Sequence, residues 1–176
     1  MNAIQRLSGH EDQALRDYRA ALSIFQDIGD RGSAAQTLNG MAAAYSGTGH
    51  SDAALDCHEK ALVLAIELGE RHVQAVSHQG IGAIHLTMGR FLSAVNDYRV
   101  ALKLSREVAD PVQEGQALQG LGDAVLRTQG TAAAQEHWRA ALALFEATGR
   151  PEADEVRARL LVPPGDAPAV PVRRTC

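Results

Sequence analysis

The chain has 176 residues, 45% hydrophobic and 22% charged, which suits one substantial core in a single domain and leaves no apolar run of the roughly 20 residues a membrane span needs. Aromatic residues make up only 4%, so the core must be built from Ala, Leu, Val and Ile, which pack well between closely approaching helices and favour an all-α chain. The formal charge of -4 has no basic stripe behind it, because the arginines are interleaved with Asp and Glu; contact with nucleic acid through this chain is excluded on that ground.

The N-terminal stretch "MNAIQRLSGHED" lacks the apolar centre of a secretory signal. Cys57 and Cys176 are too far apart in sequence to suggest a disulfide framework or a metal-ligand spacing, and a reducing, cytoplasmic location fits them. Residues 12 to 28 carry Leu15, Tyr18, Leu22 and Phe25 at helical spacing, one apolar stripe on one helix. Few residues precede Gly9, so residues 1–30 read as an incomplete first repeat cut through its first helix, with the parent protein expected to continue upstream. The uncovered stripe then predicts either fraying or self-association through that edge.

Beyond Gly29-Asp30 the chain repeats itself. A step of 40 residues carries Ala21-Leu22 onto Ala61-Leu62, Ala101-Leu102 and Ala141-Leu142, and carries Ala14 onto Ala54, Ala94 and Ala134. A second helix recurs as "LNGMAAAYSGTG" from 38, "HQGIGAIHLTMG" from 78 and "LQGLGDAVLRTQG" from 118. Residues 31–150 therefore hold three full helix pairs. Each pair turns at Gly49, Gly89 or Gly130, residues able to end a helix in the left-handed conformation. Between pairs stand Gly69-Glu70, Asp110-Pro111 and Gly149-Arg150-Pro151, where Asp110 is placed to cap and Pro111 to start the next helix. The Gly130 turn is shifted by one residue relative to Gly49 and Gly89, which predicts a locally different loop. Residues 151–162, with Ala153, Val156 and Leu160 on one face, read as a C-terminal capping helix, and the Pro-rich 163–176 as a disordered tail.

The slots of the repeat resemble the tetratricopeptide repeat: a large residue, a Leu-Gly-like pair, an aromatic, a Gly turn, then Ala, an aromatic and Ala. They are filled by Leu38, Met41-Ala42, Tyr45, Gly49, Ala54, His58 and Ala61 in the first full copy. His78, Ile81-Gly82, His85, Gly89, Ala94, Tyr98 and Ala101 fill the second, and Leu118, Leu121-Gly122, Val125, Gly130, Ala134, Trp138 and Ala141 the third. The period of 40 exceeds the usual 34, and the closing proline gives way to further helical residues such as "VLAIELGER" from 63. The resemblance implies a right-handed superhelical solenoid of antiparallel helix pairs that binds a protein or peptide and needs no cofactor. The Ala- and Arg-rich copies ending in "ALALFEATGRPEADEVRARLL" look like the C-terminal arrays of actinobacterial transcriptional regulators that carry an NTP-binding switch domain. That likeness implies a sensor or autoregulatory arm; the alternative is a free-standing adaptor.

Chemistry-bearing residues fall into the same slots. In "ALDCHEKAL", Cys57 and His58 stand side by side, but neighbours on a helix point about 100° apart, and Leu62 occupies the place where HExxH needs its second His. His58 holds a slot filled elsewhere by Tyr18, Tyr98 and Trp138, so a packing role is preferred to an enzyme using Cys57 and His58. "GIGAIH" and "GLGDAV" lack the third Gly of a dinucleotide loop and read as helix-crossing glycines. His78 and His85 are about 10.5 Å apart along the helix axis, too far to share a metal ion. No catalytic, metal or cofactor residue is assigned. The resemblance places a concave groove at Gln36, Asn39, Val76, Gln79, Gln116, Gln119, Asp123 and Arg127, in which Asn39, Gln79 and Gln119 form an amide ladder able to pair with a peptide backbone. Asp123 and Arg127, one turn apart, are expected to pair with each other. His58, His78 and His85 are expected to be buried without acidic partners.

Overall fold

The computed structural model describes residues 3–161, with side chains described from residue 13 onward. These residues form eight α-helices: α1 (Ala3–Asp27), α2 (Arg31–Gly47), α3 (Ser51–Leu68), α4 (Arg71–Thr87), α5 (Phe91–Glu107), α6 (Pro111–Thr128), α7 (Thr131–Ala147) and α8 (Glu152–Leu160). No strand occurs among the described residues, and none of their helices is long and apolar enough to cross a membrane. The segment read as a tail at 163–176 lies outside the described residues.

Sequence reading sets a short segment before Gly9 apart from a helix at 12 to 28; instead α1 runs through Gly9 without a break. A single glycine weakens a helix interior by about 1 kcal/mol and does not by itself end it. Elsewhere the turns follow the repeat. In the turns at Gly49 and Gly89 the amide three residues beyond the helix closes back onto the last turn, His50 N–H to Tyr45 O at 2.9 Å and Arg90 N–H to His85 O at 2.8 Å. The glycine between them takes the left-handed conformation, φ 78° at Gly49 and 73° at Gly89. Ala109 holds the corresponding place between α5 and α6 at φ 53°, at a cost of about 1 kcal/mol for a residue with a Cβ. The shifted turn does differ: Gly130, at φ 92° and ψ 179°, is the N-cap of α7, while Gln129 closes α6. Asp110 caps α6 by accepting from the Val112 and Gln113 amides at 3.0 Å, with Pro111 in the first turn.

Each helix packs on its neighbours in sequence, and beyond these only α2 with α4 and α4 with α6 make substantial contact among the described residues. The first helices of successive pairs thus approach one another while the second helices stand apart. That difference bends the stack, with α2, α4 and α6 on the inner side. The all-α helical solenoid is the architecture of the described chain.

The small residues of the second helices are where the packing is tightest. Ala54, Ala61, Ala94, Ala134 and Ala141 have no exposed surface, which lets the helices cross closely. The aromatic slot then fills the space above a glycine on the next first helix. A Cβ added at Gly40 would lie 2.7 Å from the Tyr18 ring, and one at Gly80 or Gly120 would lie 2.0 or 2.2 Å from the His58 or Tyr98 ring. In its own pair, Trp138 covers Gly122 at 2.5 Å from such a Cβ. The glycines of "GIGAIH" and "GLGDAV" are therefore close-approach residues, as their sequence context predicts. The slot is buried in the later copies but 37% exposed at Tyr18, since no helix of the described chain packs on the other side of α1. The larger core cluster lies at the C-terminal end, where Tyr98, Leu121, Val125, Trp138 and Phe145 meet Ala153 and Val156 of α8.

Candidate binding groove

The inner side of the stack encloses a groove of about 570 Å³. From α2 come Asn39, Ala43 and Ser46, and from α4 Val76, Gln79, Gly80 and Ala83; α6 supplies Gln113, Gln116, Gln119, Gly120 and Asp123. His58 and Tyr98 reach its floor from the second helices, and Glu152 and Glu155 close one end from α8. Six of the eight sequence-predicted groove residues converge here: Asn39, Val76, Gln79, Gln116, Gln119 and Asp123. Gln36 and Arg127 do not line it. Arg127 lies over the Phe91 ring, 4.6 Å from its centroid, on a different neighbour from the one expected.

Asn39 departs from the amide ladder. It is buried at 8% exposure, and its Oδ1 accepts from His58 Nδ1 at 2.8 Å and Ser77 Oγ at 3.0 Å while its Nδ2 donates to Val73 O at 3.4 Å. One amide thus ties α2, α3 and α4 together and has little left for a ligand. Gln79, in the same slot one repeat later, is only half-buried and donates from Nε2 to Gln116 Oε1 at 3.2 Å. The groove amides are therefore Gln79, Gln113, Gln116 and Gln119, with Asn39 a structural tie.

The charged residues of the groove are also arranged differently from the sequence expectation. Asp123 pairs across the stack with Arg159 of α8, Nε to Oδ1 at 3.0 Å, and accepts from Trp138 Nε1 at 3.0 Å; it does not pair with Arg127. Burial raises the Asp123 carboxyl above its usual range, and Arg159 and Trp138 oppose that rise. Glu152 Oε1 accepts from Arg150 at 2.7 Å, which holds its carboxyl below the ordinary value. Sequence reading missed Gln113, Glu152 and Glu155. A 40-residue step would put Glu155 in the buried place of Ala35, Ala75 and Gly115, yet α8 turns to bury Ala153 and Val156 and leaves Glu155 on the groove. The stripe of Ala153 and Val156 was the available signal.

The histidines separate into two environments. His58 is 5% exposed, and burial lowers its imidazole to about 4. His78 and His85, expected to lack an acidic partner, share one: Asp97 of α5 sits between them, Oδ1 at 3.2 Å from His78 Nδ1 and Oδ2 at 2.8 Å from His85 Nδ1. The second helix of the pair supplies the carboxylate that a reading of α4 alone leaves out. Cys57 packs with Leu15, Met41 and Ala42, and burial pushes its thiol upward, opposite to what a nucleophile needs. No group of three or more metal-binding side chains comes together among the described residues.

Residues 3–67 match the tetratricopeptide repeat family. That match spans α1, α2 and most of α3, and supports reading the chain as a tetratricopeptide repeat protein. No curated protein matches the chain. Among solved structures, BtubC (BKLC) from P. vanneervenii superposes with a TM-score of 0.65 at 17% identity over 89% of this chain. The likeness is one of fold, and this chain spans 63% of that structure's length.

Proposed function

We propose that the chain is a protein- or peptide-binding module that takes an extended segment along its inner groove. Tetratricopeptide repeats generally mediate protein–protein interaction. The observation that carries the reading here is the groove itself, bounded by three successive first helices and lined by four glutamines. First helices about 8–10 Å apart give a track on the order of 20 Å, about six residues of extended chain. Amides that both donate and accept suit a peptide backbone whatever its side chains.

A peptide selected from a random display library against the full chain should bind about thirtyfold more weakly when Gln79 and Gln119 are both replaced by Ala, given about 1 kcal/mol for each of the two lost hydrogen bonds, with the helical circular dichroism unchanged. Ala83→Trp, at an exposed position on the groove, should block it outright. Selected peptides that bind all three proteins equally would place the binding surface elsewhere. Asn39 is left intact in this test because its amide holds three helices together.

We further infer a cytoplasmic role as the sensor or autoregulatory arm of a larger regulator, supported by the likeness of its Ala- and Arg-rich copies to the repeat arrays of such proteins. An in-frame NTP-binding domain encoded upstream would support it, and a stop codon there would favour a free-standing adaptor. Self-association through α1 draws support from Tyr18, 37% exposed where Tyr98 in the same slot is 4% exposed. Light scattering should then find a dimer that Tyr18→Glu dissociates; a monomer at every concentration rejects it. Leu15, at 6% exposed, is a core residue and unsuited to that test.

A further inference from the structure

Each later second helix packs on the helix before it and the helix after it, whereas α1 has only α2 against it among the described residues. Leu15 and Leu22 of α1 turn toward Met41 and Ala42 of α2. Ala14, Ala21 and Ile28 recur at seven-residue steps on the side those leucines leave open, with Ile24 beside them. In the later pairs the places of Ala14 and Ala21 are held by Ala54 and Ala61, Ala94 and Ala101, and Ala134 and Ala141, all of them buried. On α1 the two alanines are partly open, and Ile24 and Ile28 are 58% and 68% exposed, where Leu104 in the place of Ile24 is buried.

Direction and symmetry select the occupant of that face. In a helix pair the first helix runs antiparallel to the second, so the place beside α1 accepts an antiparallel helix. Two copies of α1 related by a two-fold axis across them are antiparallel as well. Ala21 is the midpoint of the stripe and stands where Ala61, Ala101 and Ala141 allow a close crossing. A pairing centred there sets Ala14 of one copy opposite Ile28 of the other, small against large at both ends.

Charge agrees with that direction. Arg16 and Asp27 are three turns apart on one flank of α1, and neither forms a salt bridge among the described residues; Arg16 donates to Gln13 of its own helix. The antiparallel pairing brings Arg16 of each copy level with Asp27 of the other. A parallel pairing would set Arg16 against Arg16 and Asp27 against Asp27.

We infer that the open face of α1 takes α1 of a second copy in an antiparallel, two-fold pairing centred on Ala21, each copy filling the first-helix place beside α1 of the other. This rests on the self-association reading above and adds the interface, its direction and its register.

Single cysteines read the register. In full chains carrying Cys176→Ser, with Cys57 buried, Ala21→Cys should cross-link to itself through a short bis-maleimide. Ala14→Cys alone and Ile28→Cys alone should not, because in this pairing like residues lie about 21 Å apart along the axis, beyond a linker of about 8 Å. An equilibrated mixture of the Ala14→Cys and Ile28→Cys proteins should cross-link between copies. Arg16→Asp should weaken the dimer by about tenfold in light scattering, and Arg16→Asp with Asp27→Arg should restore it to within about twofold, an exchange that two residues three turns apart on one helix cannot make within a single copy. Self-links at Ala14→Cys and at Ile28→Cys without the mixed link, or a double exchange that fails to restore the dimer, would overturn the antiparallel register and leave self-association through α1 standing. A monomer at up to about 0.1 mM, or a dimer in which none of the three cysteine positions cross-links, would remove that reading and this proposal together.

Discussion

Trp138→Ala is expected to lower the stability of the C-terminal repeat by about 3–5 kcal/mol, a large share of the 5–15 kcal/mol that holds a domain folded. Trp138 is 3% exposed, lies against Gly122 of α6, and belongs to the cluster that joins Tyr98, Leu121, Val125 and Phe145 to Ala153 and Val156 of α8. Truncation opens a void that α6, α7 and α8 can close only in part. It also removes the N–H that Asp123 accepts at 3.0 Å, and that carboxylate, already raised by burial, is left leaning on Arg159 alone. Trp138→Phe separates the two contributions, since it keeps most of the packing and loses only the donor, for about 1–2 kcal/mol. Urea unfolding followed by circular dichroism at 222 nm reads both variants without relying on the chain's one tryptophan. Hydrogen exchange should place the loss in α6, α7 and α8, because a repeat stack is stabilised chiefly between neighbours. A Trp138→Ala protein within about 1 kcal/mol of the parent would mean that this cluster does not anchor the end of the stack.

Acidification is expected to remove about 3 kcal/mol between neutral pH and pH 4 through His58 alone. Its imidazole is lowered from 6.5 to about 4 by burial. The folded state therefore holds His58 neutral while the unfolded chain takes up a proton below 6.5. The stability is fully present above about pH 6.5 and is lost progressively as pH falls toward 4; the linkage gives about 1.4 kcal/mol lost at pH 5.5 and about 3 kcal/mol at pH 4. The hydrogen-bond network explains why no partner relieves the charge. Asn39 Oδ1 accepts from His58 Nδ1, which assigns that nitrogen the proton, so an added proton must go to Nε2 above Gly80. His78 and His85 stand on Asp97, so of the three slot histidines only His58 is buried without an acid; burial also lowers His137, which both proteins of the comparison below share. His58→Tyr puts into this slot the residue that Tyr98 supplies one repeat later and should flatten the pH dependence by that amount. Denaturant titrations of both proteins at pH 7, 5.5 and 4 make the comparison, with carboxylate titration common to the two. Identical slopes would falsify the assignment.

Helix pairing, turn positions and the aromatic slot were legible in the sequence because each depends on residues at fixed spacing along one chain. A 40-residue step that returns Ala to Ala specifies where helices cross, and Gly80, Gly120 and Gly122 mark where rings lie against a neighbouring helix. The groove positions came from the family resemblance, and six of the eight line the groove because a position on a first helix fixes the side of the stack it faces. The partner each side chain meets was decided only by the tertiary structure. Asn39 and Gln79 share a slot, yet His58 and Ser77 occupy the amide of one while Gln116 receives the other, because the shorter side chain stays within reach of the helix junction. Asp97 comes from a second helix to sit between two histidines a sequence reading leaves without an acid, and Arg159 crosses the stack to take Asp123 from Arg127. Helical spacing fixes direction about one axis. Choice of partner depends on the distance and rotation between axes, which α8 sets differently from a regular first helix when it buries Ala153 and Val156 and brings Glu152 and Glu155 onto the groove.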